Sequence, residues 1–173
     1  MYTIKALVDG KYYTLHNPKV KELTVGDPFF EVGDNMNGQA EFKIFPGHPY
    51  YDKVKKLVTD IIFYRDGKEE FYGRVLYDDE DFNGSKKVFV EGELAFFCDS
   101  IQRPKVYHNY SVRAYLQDII DIHNSQVEER KQFTLGLVTV TDSNDSLYRY
   151  SNWEDTRKIL KEKLTSRLGG HLV

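Results

Sequence analysis

One cysteine, Cys98, stands among 173 residues, which excludes an internal disulfide and any multi-cysteine zinc site. No run approaches the roughly 20 apolar residues of a membrane-spanning helix, so no membrane insertion is expected of this region. The opening MYTIKALVDG has no basic start leading into a long apolar stretch, and no secretory signal is visible in it. Basic charge is not in excess either: 24 Lys+Arg against 27 Asp+Glu leave a net charge of -3, and no basic stripe occurs, which argues against nucleic-acid binding. The histidines (His16, His48, His108, His123 and His171) never fall at metal-ligand spacing. No glycine-rich phosphate loop is present. No metal and no cofactor are therefore expected.

Aromatics are plentiful: 13 Tyr, 11 Phe and 1 Trp, or 14% of the chain. Tyr and Phe favour strands. Asp9-Gly10, Asp66-Gly67 and Asn83-Gly84 each separate alternating apolar segments, the sequence signal for type I′ hairpins. The last two predict a meander of strands 59–65, 69–78 and 86–97. Phe71, Gly73, Val75 and Tyr77 would share one face of the middle strand, and Val88, Val90, Leu94 and Phe96 one face of the last. Pro18 and Pro28 bracket a shorter strand pair, GQAEFKIFP reads as another strand, and HPYYDKVKKL as a turn or one short helix. So many strands in so short a segment must curl or close into a small barrel or sandwich.

Both charge and pattern change near residue 100. Residues 1–100 carry 13 basic and 18 acidic side chains, net -5; residues 101–173 carry 11 and 9, net +2. The later part reads helix, strand, helix. Ser111 is a candidate N-cap, and Val112, Tyr115, Leu116, Ile119, Ile120 and His123 follow helical spacing. FTLGLVTV predicts a strand and TDSNDS a polar loop. Asn152 is placed to cap the last helix with Asp155 completing a capping box, Glu154 and Lys158 form an i,i+4 pair, and Trp153, Leu160, Leu164 and Leu168 line the inner face before Gly169-Gly170 ends it. His171-Leu172-Val173 reads as the start of a further strand, as expected of an N-terminal piece of a longer protein. The fold class expected is mainly β (α+β): an antiparallel β-barrel over 1–103, then a small α/β unit over 104–173.

Few residues invite chemistry. From Asp79 the hairpin matches the D-x-D-x-N-G opening of a calcium loop, but the closing glutamate position is Val90 and the flanks alternate as strands. A solvated acidic arm is the expectation. Cys98 has His108 or His123 as a conceivable base and Asn109 or Asn124 as orienter, yet lies in AFFCDSIQ at the end of an apolar strand, where a buried structural role is expected. Ser100 lacks a nucleophile-elbow context. Gly73 and Gly92 fall mid-strand, the mark of a bulge or close backbone approach. Arg74 and Glu91 are placed for an ion pair across neighbouring strands.

Several motifs occur together and in order. They are P-x-H-P-Y (Pro46, His48, Pro49, Tyr50), D-G-x-E-x-F-x-G-R-V at 66–75 (with Gly73 and Arg74), D-F-x-G-x-K at 81–86, and E-G-x-L-A-x-x-x-D-S at 91–100 (with Glu91, Gly92, Asp99 and Ser100). Y-S-V-R-A-Y-L, H-N-x-x-V, T-V-T-D, T-R-K-I-L and L-G-G-H-L follow. In these the chain resembles the N-terminal hub region of siphophage tail-associated lysin or prophage endopeptidase tail proteins. The resemblance implies a structural role at the virion tail tip. Three copies would form a baseplate hub below the ring of distal tail protein and close the tube, with the tape measure protein as a further possible partner. Each full subunit would contribute two similar barrels, the second beyond residue 173, and any lytic domain would lie downstream. The alternatives are a peptidoglycan hydrolase acting through Cys98 and a carbohydrate-binding module built on coplanar surface tyrosines.

Overall fold

In the computed structural model, which describes residues 1–142 and 149–172, Asp9 and Gly10 both take positive φ (48° and 73°), as do Asp66 and Gly67 (50° and 84°). These are two of the three tight hairpins the sequence predicts. The first joins β1 (Tyr2–Val8) to β2 (Lys11–His16); the second joins β5 (Asp60–Arg65) to β6 (Lys68–Glu80). With β3 (Gly26–Glu31), β4 (Gln39–Ile44) and β7 (Lys86–Gly92) they form one antiparallel sheet in the order β2-β1-β5-β6-β7-β4-β3. Tyr51–Lys53 makes the short helical turn expected before β5.

The sheet curls on itself into a half-barrel. Phe30 of terminal strand β3 packs on Phe63 of β5 at 5.2 Å between ring centroids, and meets Tyr2 of β1 at 6.1 Å. Alternate residues of every other strand fill the interior, among them Ile4, Leu15, Phe42, Ile61, Val75 and Val90. Pro28, which cannot donate a ladder hydrogen bond, sits beside a register shift on edge strand β3.

The chain divides into two compact units, Met1–Glu93 and Leu94–Val173. The second is a small helical unit. A two-stranded ribbon pairs β8 (Ile101–Gln102) with β11 (Glu154–Asp155) and β9 (Lys105–Tyr107) with β10 (Arg149–Ser151). Helix α1 (Val112–Asn124) starts where expected, the Ser111 side chain accepting from the Ala114 amide, and buries Val112, Tyr115, Ile119, Ile120 and His123. Their partners are Phe97, Tyr107, Ile159, Leu160 and Leu164. Helix α2 (Thr156–Ile159) widens into π turns over Leu160–Thr165 and ends in α3 (Ser166–Leu168), with Gly169 at φ 73° stopping it.

Five local expectations need correction. β6 carries a register shift between Val75 and Tyr77, so Tyr77 leaves the inner face and stacks on Phe89 at 4.8 Å. β7 stops at Gly92, and Glu93–Asp99 winds as a 3-10 helix, which takes Leu94 and Phe96 off the strand and leaves Cys98 exposed. The Asn83-Gly84 turn spans a longer loop, Asp81 to Ser85, because the Asp81 carboxylate accepts from the Asn83 and Ser85 amides and wraps the chain around itself. FTLGLVTV packs Phe133, Leu135 and Val138 against the core, yet is in no ladder among the described residues. The last helix begins at Thr156, capped by Asp155 accepting from Lys158 N–H; Trp153 is exposed, and Glu154 pairs with Lys163 at 2.6 Å instead of with Lys158. Residues 143–146 of the predicted TDSNDS loop, and Val173 of the predicted terminal strand, lie outside the described residues.

Candidate functional site

The motif at 91–100 spans the boundary between the two units, with Glu91 and Gly92 in the first and Asp99 and Ser100 in the second. In P-x-H-P-Y, His48 is buried with its Nε2 2.8 Å from the Leu15 carbonyl, while its Nδ1 accepts from the Tyr50 amide at 3.0 Å. A carbonyl only accepts, so Nε2 carries the proton and the ring is neutral. The imidazole thereby ties this turn to β2. Pro46 and Tyr51 flank the β6–β7 loop: the Tyr51 hydroxyl donates to the Gly84 carbonyl at 2.6 Å. Pro49 lies exposed at the turn surface.

Gly73 and Gly92 face each other across β6 and β7. A Cβ on Gly73 would stand 2.2 Å from the Glu91 carbonyl oxygen, and one on Gly92 2.1 Å from that of Asn37. Both are sites of close backbone approach. Arg74 and Glu91 are register partners, and Arg74 Nε donates to Glu91 Oε1 at 2.5 Å, the expected cross-strand ion pair. In the second unit, Asp99 accepts from Lys131 Nζ at 3.0 Å.

Ser100 and His123 come together, which the sequence offered only as separate candidates. The Ser100 Oγ lies 2.6 Å from His123 Nδ1, and His123 Nε2 is 3.0 Å from the Lys131 carbonyl. The carbonyl again places the proton on Nε2, so Ser100 donates to Nδ1. Its oxygen then accepts from Thr156 Oγ1 at 2.6 Å, and Thr156 accepts from Gln102 Nε2 at 2.8 Å, which also reaches the Ile119 carbonyl. All four side chains are buried. A serine–histidine contact is the beginning of a nucleophile–base pair, but here Phe97 and Phe133 pack against the imidazole, whose second nitrogen is spent on backbone. The network knits α1, α2 and the ribbon together. His108 is exposed on the loop before α1, and Asn124 binds the Phe133 backbone through both amide atoms.

The acidic arm uses its own lone pairs. Asp81 accepts from two amides and, at 2.6 Å, from the Ser85 hydroxyl, and these bonds hold its carboxyl below the usual range. Among the described residues, no group of three or more His, Cys, Asp or Glu is arranged to hold a metal ion. Of the adjacent tyrosines Tyr12-Tyr13 and Tyr50-Tyr51 that could stack on sugar, Tyr13 and Tyr50 instead pack on each other at 59° and are half-buried on the core.

Burial pushes His16, His48 and His123 below the ordinary histidine value of about 6.5. Below pH 6.5 the unfolded chain therefore binds more protons than the folded one, and stability falls as pH drops. Melting temperatures measured from pH 8 to pH 5 are expected to hold steady down to about 6.5 and then decline. His48→Gln, which keeps a donor for Leu15, should flatten part of that decline. An undiminished melting temperature at pH 5 would refute the neutral-histidine assignment.

A curled antiparallel half-barrel of seven strands followed by a small helical unit is a fold found in phage tail proteins. The 43 kDa tail protein of prophage MuSo2 from Shewanella oneidensis is similar to this chain in structure, with a TM-score of 0.55 at 15% identity. The match covers 99% of this chain and 52% of that one, so the chain spans about half the length of its structural relative. No protein-family model and no curated protein sequence matches it.

Proposed function

We propose that the chain is a structural component of a phage or prophage tail, at the tail tip, as part of a trimeric hub that closes the tube below the distal tail protein. The observation that carries this reading is the likeness to a prophage tail protein along nearly the whole chain. The site chemistry agrees with a structural role. Ser100 and His123 are sealed in a core, and Asp99, Arg74 and Glu91 are engaged in ion pairs within their own units. The tail-tip position, the trimer, and contacts with distal tail and tape measure proteins rest on the motif resemblance.

Antibodies raised against the chain provide the test, applied to particles induced from the bacterium that encodes it. Gold label is expected at the end of the tail distal to the head. Label along the shaft would overturn the tip position, and unlabelled particles would overturn the tail assignment.

A further inference from the structure

The β6–β7 loop holds a phenylalanine where turn chemistry has no use for one. Asp81, Phe82, Asn83 and Gly84 form a tight turn, with Gly84 N–H donating to the Asp81 carbonyl at 2.9 Å and Gly84 at φ 74°. The second position of such a turn favours proline or a polar residue. Phe82 occupies it with a relative exposure of 104%. Scattered exposed apolar residues are ordinary; a fully exposed ring on a rigid polar tip is not.

The tip is rigid from three sides. Asp81 accepts three hydrogen bonds from Asn83 and Ser85, and its own amide donates to the Ser85 carbonyl at 2.8 Å. The Tyr51 hydroxyl holds the Gly84 carbonyl from the neighbouring turn. Pro46 lies close enough that a Cβ on Gly84 would be 3.1 Å from its Cγ. Ordering costs that normally weaken a loop contact are thus already met in the folded chain. The surroundings are acidic. Asp79, Glu80 and Asp81 are exposed on the arm, with Asp52 beside Tyr51. The lysines nearby are occupied: Lys86 lies 4.3 Å over the Tyr51 ring and 3.9 Å from Asp78, and Lys87 is 3.0 Å from Glu41.

We infer that the β6–β7 tip is a docking element whose Phe82 enters an apolar pocket, rimmed by lysine or arginine, on another protein of the tail. An aromatic anchor on a preorganised element is the usual core of a hot spot. The exposed carboxylates make a basic rim the complementary surface and repel anionic lipid. The inference rests on the tail reading above and adds a contact residue and the chemistry of its partner.

The test is made in the encoding prophage, with the native gene replaced by wild type, Phe82→Ala or Phe82→Leu, counting assembled tails by electron microscopy. Circular dichroism and melting of the purified chains establish that each variant folds; position 82 touches no core, so equal melting is expected. Phe82→Ala should lower assembled tails at least tenfold, and Phe82→Leu should restore most of them. Wild-type numbers of tails with folded Phe82→Ala would overturn the docking role while leaving the tail reading intact. Absence of the wild-type chain from its particles would overturn both. Phe82-dependent sedimentation of the chain with phosphatidylglycerol vesicles would replace the protein partner by a membrane.

Discussion

Gly92→Ala is expected to prevent the half-barrel from forming. The added methyl carbon would lie 2.1 Å from the Asn37 carbonyl oxygen and 3.1 Å from the Gly38 Cα. Neither obstacle is a flexible side-chain end; both belong to backbone. The Gly92 amide donates to the Gly38 carbonyl at 3.0 Å, so the loop cannot retreat without giving up that bond. Gly73→Ala meets the same difficulty against the Glu91 carbonyl. Overpacking of this severity against main chain belongs in the tail of mutational effects, above about 4 kcal/mol. That is a large part of the roughly 5–15 kcal/mol that separates a folded domain from its unfolded chain. Amide spectra of the intact protein should lose the dispersed signals of Met1–Glu93. Gly47→Ala is the control: nothing lies within 4 Å of the place its methyl carbon would take, and its φ is not in the left-handed region. Native-like spectra for Gly92→Ala would show that the strands can part at little cost.

How much of this could be read from the sequence depended on the range of the interaction. Asp9-Gly10 and Asp66-Gly67 announce their turns because the preference for positive φ is a property of those residues alone. Asn83-Gly84 looks the same, but Asp81, two residues earlier, captures the loop with its carboxylate. Asn152 and Asp155 are both competent caps, and sequence pattern had no means of choosing between them. FTLGLVTV has a strand's alternation only at first: Phe133 and Leu135 are half-buried on the core, but Leu137, in phase with them, is exposed and Val138 packs inward instead. A ladder also needs a partner at the right distance, which alternation cannot report. In the site, His123 was visible as the end of an apolar helical face. Its bond to Ser100 spans 23 residues and that of Ser100 to Thr156 spans 56, and neither leaves a local signature. The close approaches at Gly73 and Gly92 were signalled by glycine inside strand pattern, although the obstacle at Gly92 comes from a distant loop.

The Arg74–Glu91 pair was also legible, because the meander places the two residues opposite each other, and it supplies the second large effect. Both side chains are mostly buried, at 11% and 19% exposure, and stand 2.5 Å apart. Removing one charge from such a pair leaves the other desolvated without its counter-charge, whereas removing both leaves neither. Arg74 also has Asp60 as its register partner in β5, and Asp60 is buried. Loss of the guanidinium therefore removes the cation between two carboxylate residues, whereas loss of Glu91 leaves Arg74 beside Asp60. Arg74→Met is expected to destabilise the half-barrel by about 3–5 kcal/mol and Glu91→Gln by less. The double variant Arg74→Met/Glu91→Leu should recover much of the loss relative to the sum of its single changes. Hydrogen exchange of the β5, β6 and β7 amides in the intact chain reads these differences within the first unit. Strictly additive single effects would mean that the pair contributes nothing to holding β6 against β7.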